Sequence, residues 1–323
     1  MAVTAFLGAY GYGNLGDELC LMEAMRAFPG GEAHAFSVDP DWTRRCVPGL
    51  AGCFGTGTEL MDLRPARIVY GGGMFGVAEA FRAWLPWLAC AAAGGVELHF
   101  HNLGVARLKH DLGWLDAIAR EVFAHAATLT VRDYISVEML AEAGITPMAR
   151  VTHFPEADIP ADPTLADALL PRDCRKLLGL SIITTPLMRD GLQHDAARVR
   201  ATLAEFTGHA VIPVISTIHR DRSAEEDDLA GTLAFIREFL PDAPIAAPAL
   251  LDAEMTPARL KGLIARLDAL VTQRKHNMVH AIGAGTRVIG LHPMEDDSLR
   301  RTFVALSYRL PPGSRCLGLD RPA

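Results

Sequence analysis

The sequence lacks the features of several protein classes. Its 323 residues carry a formal net charge of −7. No basic tract with interleaved aromatic residues occurs, so we expect no nucleic-acid partner. The first ten residues have no basic segment of the kind that opens a signal peptide. The most apolar stretch, Trp84–Val96, is too short and too interrupted by Pro and Gly to span a bilayer. These absences predict a cytoplasmic protein that does not span a membrane.

Paired cysteines are also absent. The six cysteines are scattered along the chain, and no two of them form a C-x-x-C pair. Most lie in apolar surroundings, which predicts reduced, buried thiols rather than a zinc knuckle. We therefore expect no metal site built from cysteine.

What is present is enough apolar sequence for two domains, since half of the residues are hydrophobic. Strand-like and helix-like segments alternate, which predicts parallel sheets with helices on both faces. The alternation breaks at Pro155–Pro171, which is rich in Pro, Asp and Ala, and then resumes. The sequence thus predicts an α/β protein of two Rossmann-like domains, 1–155 and 172–323, facing each other across a cleft. The last helix is a candidate to pack back on the first domain.

A glycine-rich turn, Gly11–Glu18, joins the predicted first strand to a helix. Its glycines match the dinucleotide fingerprint G-x-G-x-x-G, and Asp39 stands near the position of a ribose-binding carboxylate. Asp17 and Glu18, however, would place two negative charges where a pyrophosphate should bind. The turn is better suited to neutral hydroxyl groups, which a carboxylate can orient or deprotonate. The alternative is that both acids only cap the helix.

Two further turns follow predicted strands of the first half. Gly71, Gly72 and Gly73 come directly after a strand, where the backbone must approach either a ligand or the first glycine turn. Arg132 follows the predicted strand Thr128–Val131. Because ligands of parallel sheets bind at the carboxyl ends of the strands, we expect these turns to lie at one edge.

The second half concentrates its cations in Thr272–His276, where a predicted strand runs into a helix. Arg274 could bind a phosphate or carboxylate with two hydrogen bonds, and His276 could act as a general acid. The alternative is a solvated basic turn. His276 and His280 have the spacing of zinc-binding histidines, but no third ligand is apparent. The acidic run Glu225–Asp228 is predicted to solvate the start of a helix.

Taken together, these motifs resemble the polysaccharide pyruvyl transferase family. The resemblance is carried by Gly13–Glu18, Val69–Gly73, Val131–Asp133 with Ser136 and Gly144, and Arg274–His276 with Ala281 and Gly285. It implies the two-domain fold of the glycosyltransferase-B kind. It also implies transfer of pyruvate from phosphoenolpyruvate to two sugar hydroxyls, which leaves a ketal and free phosphate.

The resemblance assigns roles to residues of both halves. Arg274 and His276 match the family's R-x-H donor-binding motif. We expect phosphoenolpyruvate as co-substrate, no cofactor, no metal, and a sugar or glycan as acceptor. The expected catalytic residues are His276, Asp17 and Glu18. The expected donor-binding residues are Arg274, Lys275, Arg189, His219 and His292. The expected acceptor-binding residues are Gly13, Asn14, Gly16, Gly72, Gly73 and Arg132.

The chain also departs from the family pattern. The family has an arginine just after the first strand of the second domain, whereas here no cation follows until Arg189. A tyrosine and a lysine common near the last strand are replaced around Leu291–Pro293. The donor site could therefore be rebuilt around Arg189, His219 or His292.

Three other functions remain open from the sequence. A glycosyltransferase of the same shape would use a nucleotide sugar, with Glu295 or Asp296 on the ribose. An NAD-dependent oxidoreductase would use the first glycine turn and Asp39. A non-catalytic sugar- or metabolite-binding protein could keep the fold without the chemistry. The sequence does not determine the acceptor, and it leaves open whether the protein forms a homo-oligomer.

Overall fold

The computed structural model describes residues 2–72, 78–105, 117–145, 149–172, 176–217, 227–251, 253–296 and 298–320. The chain divides into two compact units. The first contains residues 1–12 and 17–156, and the second contains residues 13–16 and 157–323. Four residues of the first glycine turn thus belong to the second unit, although they lie near the start of the chain.

The first unit is built on a seven-stranded parallel sheet with the order β3-β2-β1-β4-β5-β6-β7. Its strands are β1 (Val3–Leu7), β2 (Glu32–Phe36), β3 (Gly52–Phe54), β4 (Arg67–Gly71), β5 (Glu97–Leu103), β6 (Ala126–Val131) and β7 (Arg150–Val151). Its helices are α1 (Leu15–Ala27), α2 (Pro40–Cys46), α3 (Gly57–Asp62), α4 (Ala78–Ala93), α5 (Ala117–Ala124) and α6 (Tyr134–Glu142). The first two residues of α1 belong to the second unit.

The central strands of this sheet are apolar along most of their length because helices cover both faces. An aromatic cluster fills the space beside β4 and β5. Phe100 of β5 stacks on Phe123 of α5 with ring centroids 4.2 Å apart, and Phe81 of α4 packs edge-on against Tyr70 of β4 at 5.1 Å. All four side chains are at most 1% exposed. This core fixes the strand ends that carry the glycine turns and Arg132.

The second unit has a five-stranded parallel sheet with the order β12-β11-β10-β8-β9. Its strands are β8 (Leu177–Ser181), β9 (Ala210–Pro213), β10 (Ala269–Thr272), β11 (Arg287–Pro293) and β12 (Arg315–Leu319). Its helices are α7 (Thr164–Leu169), α8 (Pro186–His194), α9 (Ala196–Leu203), α10 (Asp228–Phe239), α11 (Pro257–Ile264), α12 (Lys275–Ala284) and α13 (Ser298–Ala305). Within its own unit, α13 packs against β11, β12 and α12.

Two parallel, helix-covered sheets confirm the predicted α/β class with two Rossmann-like units. The prediction missed β3, β7 and β12, which are short or rich in Gly and polar residues. The sequence also predicts a short strand near Pro244–Ala247, and this prediction is wrong. Only one bridge forms there, between Val211 and Ile245, since Pro244 has no N–H to donate to a ladder. Buried thiols are found at Cys20 and Cys46, but Cys90 is exposed, contrary to the expectation. No described helix is long and apolar enough to cross a membrane.

Candidate functional site

The cationic turn lies at the carboxyl end of β10, in the second unit. Thr272 ends the strand, and its Oγ1 accepts a hydrogen bond from the Arg274 N–H at 2.9 Å. The Gln273 N–H donates to the Ser181 carbonyl at 3.0 Å, which ties the turn to β8. Helix α12 then runs from Lys275 to a left-handed Gly285 that ends it. The side chains of Arg274, Lys275 and His276 are therefore placed at the positive end of the α12 dipole.

A buried carboxylate holds Arg274. The Nε of Arg274 donates to Oδ1 of Asp228 at 2.6 Å, and Asp228 is 0% exposed. The other carboxylate oxygen accepts from the Ser216 N–H at 2.9 Å, the Ser216 hydroxyl at 2.8 Å and the Thr217 N–H at 2.9 Å. A carboxylate can remain charged when buried only if it is paired and hydrogen-bonded in this way. The pair fixes the plane of the Arg274 guanidinium.

The glycine-turn segment 13–16 packs within the same unit. The Leu15 N–H donates to the Ser216 carbonyl at 2.9 Å, and Asn14 forms an antiparallel bridge with Thr217. The side chain of Asn14 accepts from the Gly16 N–H at 3.0 Å. A Cβ at Gly16 would overlap the His276 ring at Nδ1. Only glycine therefore permits this backbone to lie directly against the His276 imidazole.

The remaining predicted donor residues lie on neighbouring elements of the second unit. His292 is buried at the carboxyl end of β11, and its Nδ1 lies 2.9 Å from the Pro293 carbonyl oxygen. Arg189 is exposed on α8 and donates to the Thr184 carbonyl at 3.1 Å. His219 lies outside the described residues. His280, one turn after His276, is 0% exposed, and neither of its ring nitrogens has a hydrogen-bond partner among the described residues.

The two predicted acidic residues lie in the first turn of α1 and belong to the first unit. Glu18 is 0% exposed, and its Oε1 accepts from the Gly11 N–H at 2.7 Å and from the Thr43 hydroxyl at 3.3 Å. Burial, reinforced by the nearby charge of Asp17, raises the pKa of Glu18 to about 8. Glu18 is thus largely a neutral carboxyl group near pH 7. Asp17 is 8% exposed and directly follows Gly16 in the chain.

The side chain of Glu18 occupies a backbone N–H of the glycine turn. If the turn bound a dinucleotide, its pyrophosphate would need this N–H group as a hydrogen-bond donor. Asp39, the candidate for a ribose-binding carboxylate, instead caps α2 by accepting a hydrogen bond from the Trp42 N–H at 3.0 Å. Both carboxyl groups therefore have local structural partners, which argues against a dinucleotide on this turn.

Among the residues that the structure describes, Arg132 has the largest fully buried side chain. Its Nη2 donates to Cys20 Sγ at 3.1 Å, and its Nε lies 3.9 Å from Glu156 Oε1. Burial would lower the pKa of Arg132, but Cys20 and Glu156 outweigh burial and raise it. Gly72 follows β4 with φ of +69° and approaches Cys20, while Gly73 lies outside the described residues.

Sequence reasoning missed three residues that organise the cationic turn: Asp228, Ser216 and Asn277. The prediction that the run ending at Asp228 only solvates a helix start is wrong for this residue. Asp227 caps α10 by accepting from the Leu229 N–H at 2.7 Å, and Asp228 turns inward to Arg274. A run of acids gives no sign of which member is buried. The position of Asp228 at the start of an apolar helix was the one available signal.

The family of this chain is shown by its sequence profile. The profile described as "Polysaccharide pyruvyl transferase" matches residues 14–292, which is most of the chain. The chain belongs to the polysaccharide pyruvyl transferase family. The family is one of transferases, and the matched region includes residues 14–16 of the glycine-turn segment and the whole cationic turn. No curated protein is matched by sequence.

Solved structures share the fold at low sequence identity. UDP-GlcNAc 2-epimerase from Methanocaldococcus jannaschii aligns with a TM-score of 0.56 and 13% identity, over 98% of this chain and 94% of that one. The Neisseria meningitidis UDP-GlcNAc 2-epimerase, bound to UDP-GlcNAc, aligns with a TM-score of 0.57 and 10% identity, over 93% of this chain and 85% of that one. The glycosyltransferase SnogD from Streptomyces nogalater aligns with a TM-score of 0.53 and 16% identity, over 99% of this chain and 86% of that one. This pyruvyl transferase family member therefore has a glycosyltransferase-B-like fold.

Proposed function

We propose that the protein transfers a pyruvyl group from phosphoenolpyruvate to two hydroxyl groups of a sugar or glycan. The observation that carries the proposal is the cationic turn: Arg274, Lys275 and His276 stand together at the N-terminus of α12 in the second unit. Phosphoenolpyruvate is small and carries both a phosphate and a carboxylate. A guanidinium held in one plane by Asp228 and an ammonium beside a helix N-terminus suit such a ligand.

In this proposal His276 is the general acid. It gives a proton to the methylene carbon of phosphoenolpyruvate, so that C2 becomes an oxocarbenium-like centre. One acceptor hydroxyl adds to C2 and its proton returns to the imidazole. The C2–O bond to phosphate then breaks, the second hydroxyl adds, and its proton leaves with the phosphate. The products are a cyclic ketal that carries a methyl group and a carboxylate, and inorganic phosphate.

Segment 13–16 supports this role for His276. Gly16 lies against the imidazole and restricts the positions that the ring can take. A general acid must be held within hydrogen-bonding reach of the atom that it protonates. Positively charged Arg274 and Lys275 also stabilise the leaving phosphate as charge develops on it.

In this proposal Asp17, rather than Glu18, orients or deprotonates the acceptor hydroxyl. A base must be ionised to orient or deprotonate a hydroxyl, and Glu18 is held neutral near pH 7 by burial. Its contact with the Gly11 N–H gives it a part in shaping the turn instead. We propose that Asp17, with Arg132 and Gly72 of the same unit, takes part in acceptor binding.

Replacement of His276 tests the proposal. The wild type, incubated with phosphoenolpyruvate and a panel of sugars and UDP-sugars, should release phosphate. It should also add to one acceptor the mass of pyruvate less one water. His276→Ala should lose both activities, whereas His194→Ala, an exposed histidine on α8, should keep them. Full activity in His276→Ala would remove the general acid from the mechanism.

A further inference from the structure

One buried carboxylate joins three parts of the second unit. Asp228 is the first residue of α10, and its two oxygens accept four hydrogen bonds. One comes from the Arg274 guanidinium, and three come from Ser216 and Thr217. Because Asp228 is 0% exposed, its charge depends on these donors rather than on water. Asp228 therefore holds the Arg274 guanidinium through its Nε–H group.

The same carboxylate organises the turn that holds the glycine segment. The backbone N–H groups of Ser216 and Thr217 both point to Asp228, which fixes the conformation of this turn. In the same turn, the Ser216 carbonyl accepts a hydrogen bond from the Leu15 N–H, and Thr217 forms a β-bridge with Asn14. Two elements that are far apart in the sequence, segment 13–16 and Arg274, are thus fastened to one side chain.

A second chain of hydrogen bonds leads from this turn into α12. The Ser216 hydroxyl, which donates to Asp228, accepts from Asn277 Nδ2 at 3.0 Å. The same amide donates to Ser181 Oγ at 2.8 Å, at the end of β8. Asn277 is fully buried and follows His276 directly. The network therefore fixes Asn277, which directly follows His276, and Arg274, which lies two residues before it.

We propose that Asp228 is a positioning residue for the donor site. It touches no substrate. It sets the direction in which Arg274 presents its donors to an anion, and through Ser216 and Thr217 it holds segment 13–16, and hence Gly16, against His276. The inference rests on the proposed function only for the identity of the anion, phosphoenolpyruvate.

Helix capping does not account for Asp228. The cap of α10 is supplied by the preceding residue, Asp227, whose Oδ1 accepts from the Leu229 and Ala230 N–H groups at 2.7 and 3.3 Å. Asp228 is turned the other way, to Ser216, Thr217 and Arg274. The adjacent pair thus offers a matched comparison, in which the same substitution at two successive aspartates separates capping from positioning.

The kinetic test compares Asp228→Asn with Asp227→Asn. Asparagine at 227 keeps an N-cap acceptor, so this variant should match the wild type. Asparagine at 228 keeps the shape but removes the charge-assisted bond to Arg274, and should raise the KM for phosphoenolpyruvate about tenfold or more, with a smaller change in kcat. In an Arg274→Ala background, Asp228→Asn should raise the KM little further, because its effect on KM is exerted through Arg274. Additive effects, or an unchanged KM in Asp228→Asn, would overturn the inference.

A second readout does not depend on the substrate. Hydrogen exchange of the ligand-free protein should be faster over residues 13–16 in Asp228→Asn and unchanged in Asp227→Asn. If Asp228→Asn does not fold, Ser216→Ala removes one donor to the same carboxylate and should quicken exchange over the same residues. Unchanged exchange in the folded variant contradicts the positioning role. Altered exchange in a protein whose wild type releases no phosphate supports positioning and rejects the proposed function instead.

Discussion

The buried carboxyl group of Glu18 makes the stability of the protein depend on pH. Its pKa is raised from 4.5 to about 8, first by burial and then by the charge of Asp17. A group whose pKa is higher in the folded state favours folding while it is protonated. Its contribution is complete below pH 4.5, the unfolded value, and is lost as the pH rises toward 8. The perturbation that tests this is Glu18→Gln.

The size of the effect follows from the shift. Each pKa unit corresponds to about 1.4 kcal/mol, so the wild type should lose roughly 3 kcal/mol of unfolding free energy between pH 4.5 and pH 7 through this group. Glutamine keeps an oxygen for the Gly11 N–H and carries no charge at any pH. Since Glu18 Oε2 has no hydrogen-bond partner among the described residues, the amide nitrogen replaces an atom that was already unpaired there.

The assay is urea unfolding at several values between pH 5 and pH 8, followed by circular dichroism. The difference in unfolding free energy between Glu18→Gln and wild type should grow steadily with pH in favour of the variant. Glu142→Gln, at an exposed position in α6, should stay within about 0.5 kcal/mol of wild type throughout. Parallel profiles for wild type and Glu18→Gln would show that Glu18 is ionised in the fold. The assignment of the acceptor role to Asp17 alone would then fail.

Two further predictions concern α12. Burial beside the cation of Lys261 lowers the pKa of His280 from 6.5 to about 3, so its contribution to stability is complete above pH 6.5 and is lost as the pH falls toward 3. The stability of His280→Met relative to wild type should therefore increase by roughly 2 kcal/mol between pH 7 and pH 5, and an equal acid sensitivity of both proteins would show that His280 is charged in the fold. Gly16→Ala should displace the His276 ring and lower kcat for phosphate release at least about tenfold, because the new Cβ would overlap the imidazole. Gly55→Ala, where a Cβ would make only ordinary contact, should keep wild-type kcat, and a wild-type kcat in Gly16→Ala would contradict the placement of the imidazole.

Local sequence patterns predicted much of the fold and the position of the cationic turn. The alternation of strand-like and helix-like segments predicted both parallel sheets, because a strand that is buried on two faces appears in the sequence as a continuous apolar run. The cationic turn was predictable because its residues are contiguous and follow a strand. Short edge strands such as β7, with two residues, carry too little pattern to be found.

The parts that sequence reasoning missed depend on contacts between distant residues. Asp228 lies in an acidic run that gives no indication of burial, and only the folded chain brings it to Arg274. The bridge between Asn14 and Thr217 joins residues from opposite halves of the sequence, so no local pattern could assign segment 13–16 to the second unit. The raised pKa of Glu18 likewise follows from its burial, which the capping pattern did not reveal.

The most direct test of the account is the binding of phosphoenolpyruvate to the second unit's cationic turn. A ligand that binds only the native state stabilises it by RT ln(1 + [L]/Kd), so the unfolding temperature rises with ligand concentration. We predict that phosphoenolpyruvate raises the unfolding temperature of the wild type in a concentration-dependent manner and has no effect on Arg274→Ala. Stabilisation by a UDP-sugar or NAD, with no response to phosphoenolpyruvate, would contradict the proposal.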